Sequence, residues 1–248
     1  MTELHELRVL VVGAGRGLGR GVATAFAESG ADVVAVARDG ASLGALTDTY
    51  PTIRTHVADA TDAAAARHML AEYRPNTVIV VAGATPVMGE LVQHSWETFS
   101  VNWDADVKIA FTWAREALVT PLPRGSRVVI VSSGAALNGS PLSGGYAGAK
   151  STQRFIAQYA HLESERAGLG ITFTTVMPRM TPAGDVGRAG IRAYARQAGL
   201  TEGAFIEQLG PVITPELAGR AMIDLLAVDP ADSAAAYVLT GAGLAPLT

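Results

Sequence analysis

Short β-branched apolar runs alternate along this chain with longer alanine-rich stretches of mixed polarity. Residues 7–12, 32–37, 53–57, 77–81, 126–131, 171–176 and 236–240 read as strands. Several are continuously apolar rather than alternating, which suits strands buried on both faces of a parallel sheet. Between them, residues 18–29, 40–47, 62–73, 96–118, 146–167 and 215–227 read as helices. Thr61 is placed to cap the third helix, and Thr214, followed by Pro215, the last. Strand–helix alternation of this kind predicts an α/β protein with a doubly wound parallel sheet flanked by helices. Residues 120–125 (Thr-Pro-Leu-Pro-Arg-Gly) read as a turn, because two prolines stop the preceding helix. Residues 181–210 are glycine-rich and read as a mobile excursion carrying a short helix near 188–198.

The length of 248 residues fits one domain spanning 1–248. The composition is apolar, with 49% hydrophobic and 17% charged residues and a mean hydropathy of +0.25. With no run approaching a membrane span, such a surface points to a homo-oligomer and to no membrane partner. A net charge of −4 argues against nucleic acid as a partner. There is no cysteine, which excludes disulfides, thiolate metal sites and a cysteine nucleophile. The five histidines are scattered without metal-ligand spacing. The start, Met-Thr-Glu-Leu-His-Glu-Leu-Arg, has acids where a signal peptide has bases, and a cytoplasmic protein is expected.

The first strand runs into Gly13-Ala-Gly-Arg-Gly17-Leu-Gly19. Between a strand and a helix, glycines let backbone N–H groups approach a pyrophosphate. A G-x-G-x-x-G pattern fails from Gly13, because Leu18 stands at its last glycine. The spacing that fits is G-x-x-x-G-x-G, on Gly13, Gly17 and Gly19. An acid that binds the ribose 2′-hydroxyl of NAD is expected at the end of the second strand. Ala37 holds that position and Arg38 follows, while Arg16 lies in the glycine loop. Two guanidinium groups near one ribose edge suit a 2′-phosphate, so NADP(H) is the expected cofactor. The alternative is that both are ordinary surface arginines and Asp39 takes the ribose.

Tyr146 and Lys150 stand four apart in a helical stretch, which places them one turn apart on one face. An ammonium beside a phenol favours the phenolate and brings the tyrosine toward use as a proton donor and acceptor near neutrality. Ser133 lies thirteen residues before Tyr146 at a strand end.

Taken together, the glycine loop, Ser133, Tyr146 and Lys150 give a chain that resembles the short-chain dehydrogenase/reductase family over nearly its whole length. The resemblance implies a seven-stranded Rossmann sheet, a homotetramer or dimer, and hydride transfer between nicotinamide and a carbonyl or alcohol carbon. Tyr146 is then the general acid and Lys150 its neighbour, which also holds the nicotinamide ribose. Ser133 binds the substrate oxygen, with Ser132 the weaker candidate. Asn102 matches the asparagine that holds a relay water, or else marks a helix kink. Asp59 and Ala60 match the adenine-contacting pair, although Asp59 also suits a turn cap. Ala82 and Gly83 match part of the family's Asn-Ala-Gly. Pro178 and Thr181 match positions beside the nicotinamide amide and the diphosphate. Leu18 belongs to the same cofactor-binding set.

Val81 stands where the family has asparagine, and Arg179 where Pro-Gly is usual. The substrate wall is expected from residues 85–88, 135–142 and the lid at 181–210. These are mostly apolar or small, so a small, partly hydrophobic carbonyl or alcohol is the expected substrate. Arg188, Arg192 and Arg196, at i,i+4 spacing, either meet an anionic substrate or form a solvated face. Trp103 and Trp113 read as core or interface residues. The expected activity is an NADP(H)-dependent ketoreductase; the alternative is a cofactor-binding sensor on the same fold.

Overall fold

The computed structural model describes residues 4–247. The first three residues of the acidic N-terminal stretch and Thr248 lie outside the described residues. The strands are β1 (Arg8–Val12), β2 (Asp32–Ala37), β3 (Arg54–Val57), β4 (Thr77–Val80), β5 (Arg127–Val131), β6 (Thr172–Pro178), β7 (Ala236–Thr240) and β8 (Gly243–Pro246). They form one sheet in the order β3-β2-β1-β4-β5-β6-β7-β8. Pairing is parallel from β3 through β7, and β8 returns antiparallel to β7. The sheet therefore has eight strands rather than the expected seven. The extra one is a short edge hairpin, turned by Gly243 at φ +108° and ended by Pro246, which an edge strand tolerates.

The helices are α1 (Gly17–Glu28), α2 (Gly40–Thr47), α3 (Ala63–Tyr73), α4 (Trp96–Asn102), α5 (Lys108–Val119), α6 (Ala135–Asn138), α7 (Tyr146–Arg166), α8 (Asp185–Gln197), α9 (Glu202–Leu209) and α10 (Pro215–Ala227). They cover both sheet faces. On one face Val22, Phe26, Leu43, Ala218 and Leu225 pack on Val9 and Val11; on the other Met69, Trp113, Ala157 and Ala160 pack on Leu10, Val12 and Val128. Alternate residues of β1 go to opposite cores, as period-two geometry requires, and both sets are apolar because both faces are covered.

Three local expectations change. Asp62, not Thr61, caps α3, accepting from Ala64 N at 2.8 Å. The helix expected over 96–118 is broken by a π-helical turn, Trp103–Val107, which turns the carboxylate of Asp106 into the interior (0% exposed). Residues 181–210 carry two helices, α8 and α9, instead of one. Thr201 starts the second by accepting from Ala204 N.

Glu116 on α5 is fully buried and paired with Arg67 at 2.8 Å and with Arg115. The Arg67 hydrogen bond holds its carboxyl below the usual glutamate range against the cost of burial. A depressed carboxylate contributes stability above its unfolded value near ~4.3 and loses it as pH falls through the folded value. Glu116→Gln is therefore expected to lower unfolding stability by roughly 1–3 kcal/mol at pH 7, with the gap closing in acid. Urea melts at the two pH values check this, and an equal deficit at both would contradict it.

Candidate active site

The strand order reverses between β1 and β4, and the crevice outside the carboxyl ends of the strands opens there, as expected for an open α/β sheet. It leads into a cavity of about 1790 Å³. This exceeds the ~300–1,000 Å³ of a pocket for one drug-sized ligand.

One end of the cavity is built by the glycine loop. Gly13 has φ +95°, and a Cβ there would stand 2.6 Å from the backbone nitrogen of Ala82. Only glycine lets the loop pass this close to the end of β4. The N–H groups of Gly17, Leu18 and Gly19 open α1, where no intrahelical acceptor exists, and these residues line the cavity. Arg16, the N-cap residue, makes no capping bond with its side chain. Such a cradle of free N–H groups at a helix N-terminus fits a dinucleotide pyrophosphate.

Arg38 is exposed and lines the same end. Asp39, its rival for the ribose, is engaged as the α2 cap, accepting from Ala41 N at 3.0 Å. Arg16 forms an ion pair with Asp185 at the start of α8. Asp59 accepts from Thr61 N at 2.8 Å; that bond, with help from Arg38, holds its carboxyl below the usual range. Asp59 thus caps a turn and also lines the cavity, beside Ala60. The Ala60 carbonyl accepts from the buried indole of Trp113 at 3.0 Å. Ala82 and Gly83 follow β4 and line the cavity too, with Ala82 against Gly13.

Ser133, Tyr146 and Lys150 line the same cavity. Ser132 donates to the Lys150 carbonyl at 2.7 Å, so its hydroxyl anchors α7. Ser133 accepts only a local bond from Ala135 N at 3.2 Å, which favours it over Ser132 as the hydroxyl available to a ligand. Tyr146 opens α7, with the Lys150 ammonium 5.4 Å from its ring centre. Pro178 ends β6, its carbonyl accepting from Gly134 N. Thr181 is buried, and its hydroxyl donates to Ile213 O at 2.5 Å.

Asn102 lies behind the wall. Its amide donates to Ala84 O at 2.8 Å and to Asp106 at 3.3 Å. It ends α4 where the π turn begins. Two residues escaped the sequence reading. Asp106 contacts Lys150 Nζ at 3.1 Å and accepts from Ala84 N at 2.7 Å. Gln153 accepts from Lys150 Nζ at 3.0 Å and donates to the Asp106 carbonyl at 2.9 Å. Their i+4 and i+3 spacings from Asn102 and Lys150 were the available signal. Burial desolvates the Lys150 ammonium and pushes its pKa down, but Asp106, then Tyr146, more than offset this and leave it raised.

The arginine row on α8 forms no part of the cavity wall. Arg188 pairs with Asp185 at 2.6 Å, and Arg192 with Glu202 at 3.5 Å. The cavity lining instead includes Met88, Leu137, Met180, Tyr194, Phe205 and Leu209, together with Arg179. Phe205 and Leu209 come from α9. Trp103 packs on the start of α7, where a Cβ on Gly145 would stand 2.8 Å from its indole nitrogen. Trp113 is core.

The sequence model of the family described as short chain dehydrogenase matches residues 8–189. The chain belongs to that family. Among its relatives, a 2-keto-3-deoxy-L-fuconate dehydrogenase of Xanthomonas campestris is 36% identical over 108 residues, covering 42% of this chain and 36% of that protein. A carbonyl reductase [NADPH] 2 of Sus scrofa is 31% identical over 129 residues, covering 51% of this chain and 53% of that protein. The matched part spans about half, or less, of these relatives' length. A short chain dehydrogenase from Mycobacterium avium superposes with a TM-score of 0.75 at 20% identity, covering 97% of this chain and 84% of that one. It shows the short-chain dehydrogenase fold.

Proposed function

We propose that this short-chain dehydrogenase is an NADP(H)-dependent oxidoreductase acting on the carbonyl or hydroxyl carbon of a small, partly hydrophobic substrate. The observation that carries this reading is that Ser133, Tyr146 and the buried Lys150 line the same cavity as the glycine cradle, with the Lys150 ammonium 5.4 Å from the Tyr146 ring centre. When bound, the nicotinamide supplies the hydride in reduction and takes it in oxidation. The Ser133 hydroxyl donates a hydrogen bond to the substrate oxygen and orients it. Tyr146 Oη gives that oxygen its proton in reduction and takes it back in oxidation. Lys150 holds a positive charge 5.4 Å from the centre of the phenol ring, placed against the charge that develops on Oη as the proton leaves.

The 2′-phosphate preference rests on Arg38 and Arg16 at one cavity end and on Asp39 being engaged as a helix cap. The pig relative named for NADPH supports it. Asp59, Ala60, Ala82, Gly83, Pro178 and Thr181 complete the cofactor wall in this reading. Residues 181–210 act as the substrate lid on a single catalytic unit.

A homo-oligomer is part of the same proposal. Helices α5 and α7 expose Phe111, Phe155, Tyr159 and Leu162, more apolar surface than neighbouring helices of a monomer need to show. A cytoplasmic setting is part of the same proposal; the chain has no cysteine, so a reducing cytosol is tolerated, and no described helix is long and apolar enough to cross a membrane.

The test is oxidation of NADPH, with NADH in parallel, over a panel of ketones, ketoses and keto acids. Turnover with NADPH on uncharged ketones is expected. Tight NADPH binding with no turnover across the panel would replace this reading with that of a cofactor sensor.

A further inference from the structure

The Lys150 ammonium is enclosed. Its side chain is 6% exposed and that of Asp106 is 1%. An ammonium has three donors. One contacts Asp106 Oδ2 at 3.1 Å and one Gln153 Oε1 at 3.0 Å, which leaves one for the cavity that Lys150 lines. Both acceptors are themselves held. Ala84 N donates to Asp106 Oδ1 at 2.7 Å and Asn102 Nδ2 to Oδ2 at 3.3 Å, so the carboxylate is fixed in rotation. Gln153 Nε2 donates to the Asp106 backbone carbonyl at 2.9 Å. Its amide has only this orientation, since the reverse would set an NH₂ group against the ammonium and an oxygen against a carbonyl. The π turn Trp103–Val107 brings Asp106 to this place, and such turns recur at functional sites. Gly83 is part of the same fit, because a Cβ there would stand 3.0 Å from Asp106 Oδ1.

We propose that Asp106 is the counter-ion that keeps the buried Lys150 an ammonium, and that Asp106 and Gln153 together aim its remaining N–H into the site, as positioning residues for the reaction proposed above. The catalytic consequence rests on that reading; the counter-ion role does not. Burial disfavours the charged form of a lysine, and a neutral Lys150 would no longer set a positive charge beside the Tyr146 ring. The ionisable groups that bear on Lys150 are Asp106 from the π turn and Tyr146 from its own helix. From β5 and the loop after it come only the neutral hydroxyls of Ser132 and Ser133. A carboxylate behind the ammonium therefore decides whether the site keeps its charge as pH rises.

The chain has two lysines, Lys108 and Lys150. Lysine labelled with carbon-13 at Cε therefore gives two NMR signals, with exposed Lys108 as the reference. In the wild-type protein the Lys150 signal is expected to titrate above the ordinary lysine value near ~10.4. In Asp106→Asn, which keeps the shape of the side chain, it is expected to titrate at least about one pH unit lower than in wild type. A wild-type Lys150 that is neutral by pH ~9, well below the ordinary lysine value, overturns the proposal whether or not the variant folds. So does a folded Asp106→Asn protein with the wild-type Lys150 titration.

The second arm is the pH profile of NADPH-dependent reduction. In Asp106→Asn the alkaline limb of kcat is expected to move down by at least about one pH unit, as Lys150 loses its charge at lower pH. NADPH affinity is expected to stay within about fivefold, since the substitution keeps the side chain's shape and the carboxylate is already engaged by Ala84 N, Asn102 and Lys150. A uniform loss at every pH would assign Asp106 a structural role only and overturn the proposal. A wild-type protein that reduces no carbonyl would defeat the functional reading instead, and the NMR titration would still decide the counter-ion.

Discussion

Replacing Tyr146 with phenylalanine is expected to lower kcat for carbonyl reduction by about 10²–10⁴-fold, the usual worth of a positioned general acid. The change removes one oxygen and leaves the ring, which is 9% exposed at the start of α7. The ammonium of Lys150, 5.4 Å from the ring centre, keeps its place beside the aromatic face, because Asp106 and Gln153 hold it independently of the phenol. Cofactor binding and thermal stability are therefore expected to stay near wild type. Steady-state kinetics, cofactor titration and a thermal melt on one preparation separate these quantities. Turnover within about tenfold of wild type would remove Tyr146 from the proton-transfer step. Loss of activity together with loss of cofactor affinity would make it a binding residue instead.

The parts of this molecule that were legible in the sequence are those in which local pattern and tertiary environment agree. β2 and β7 appear at their expected limits, as do α2 and α10. Continuous apolar runs have few alternatives to a buried strand, and Thr214-Pro215 is a strong helix start. Tyr146 and Lys150 were legible for the same reason: their relation is one helical turn, which spacing alone determines. Asp106 was hidden because an acid inside a helical pattern reads as solvent-facing. Only the π turn, together with Ala84 and Lys150 arriving from other elements, makes burial of its charge tolerable. The helix α9 was masked by Gly199, Gly203 and Gly210, although Thr201 caps it. The strand β8 is too short to show a period. The arginines of α8 were ambiguous between a substrate contact and a surface row, and their carboxylate partners, Asp185 and Glu202, became visible only in three dimensions.

Arg38→Asp is expected to weaken NADPH by about 10²-fold or more while changing NADH by less than about fivefold. The guanidinium follows β2 and stands exposed at the cavity end where the first strand–helix loop lies. A charge-assisted bond to phosphate contributes about 1.5–3 kcal/mol, and a carboxylate in its place adds repulsion of the 2′-phosphate. NADH carries no 2′-phosphate and escapes that repulsion, so that cofactor loses little. Asp39 does not blur the result, because its side chain is committed to Ala41 N and changing position 38 leaves that cap intact. Arg16 contributes differently. It is paired with Asp185 at the start of α8, so a phosphate must compete with that carboxylate for it, whereas Arg38, though its charge is felt at Asp59, makes no ion pair among the described residues. Arg38 is therefore the larger determinant, and Arg16→Ala is expected to cost NADPH less than Arg38→Asp does. Kd values for both cofactors across the two variants test the order. Equal loss of NADPH and NADH in Arg38→Asp would mean that Arg38 binds neither ribose edge and that the cofactor is not selected by its 2′-phosphate here.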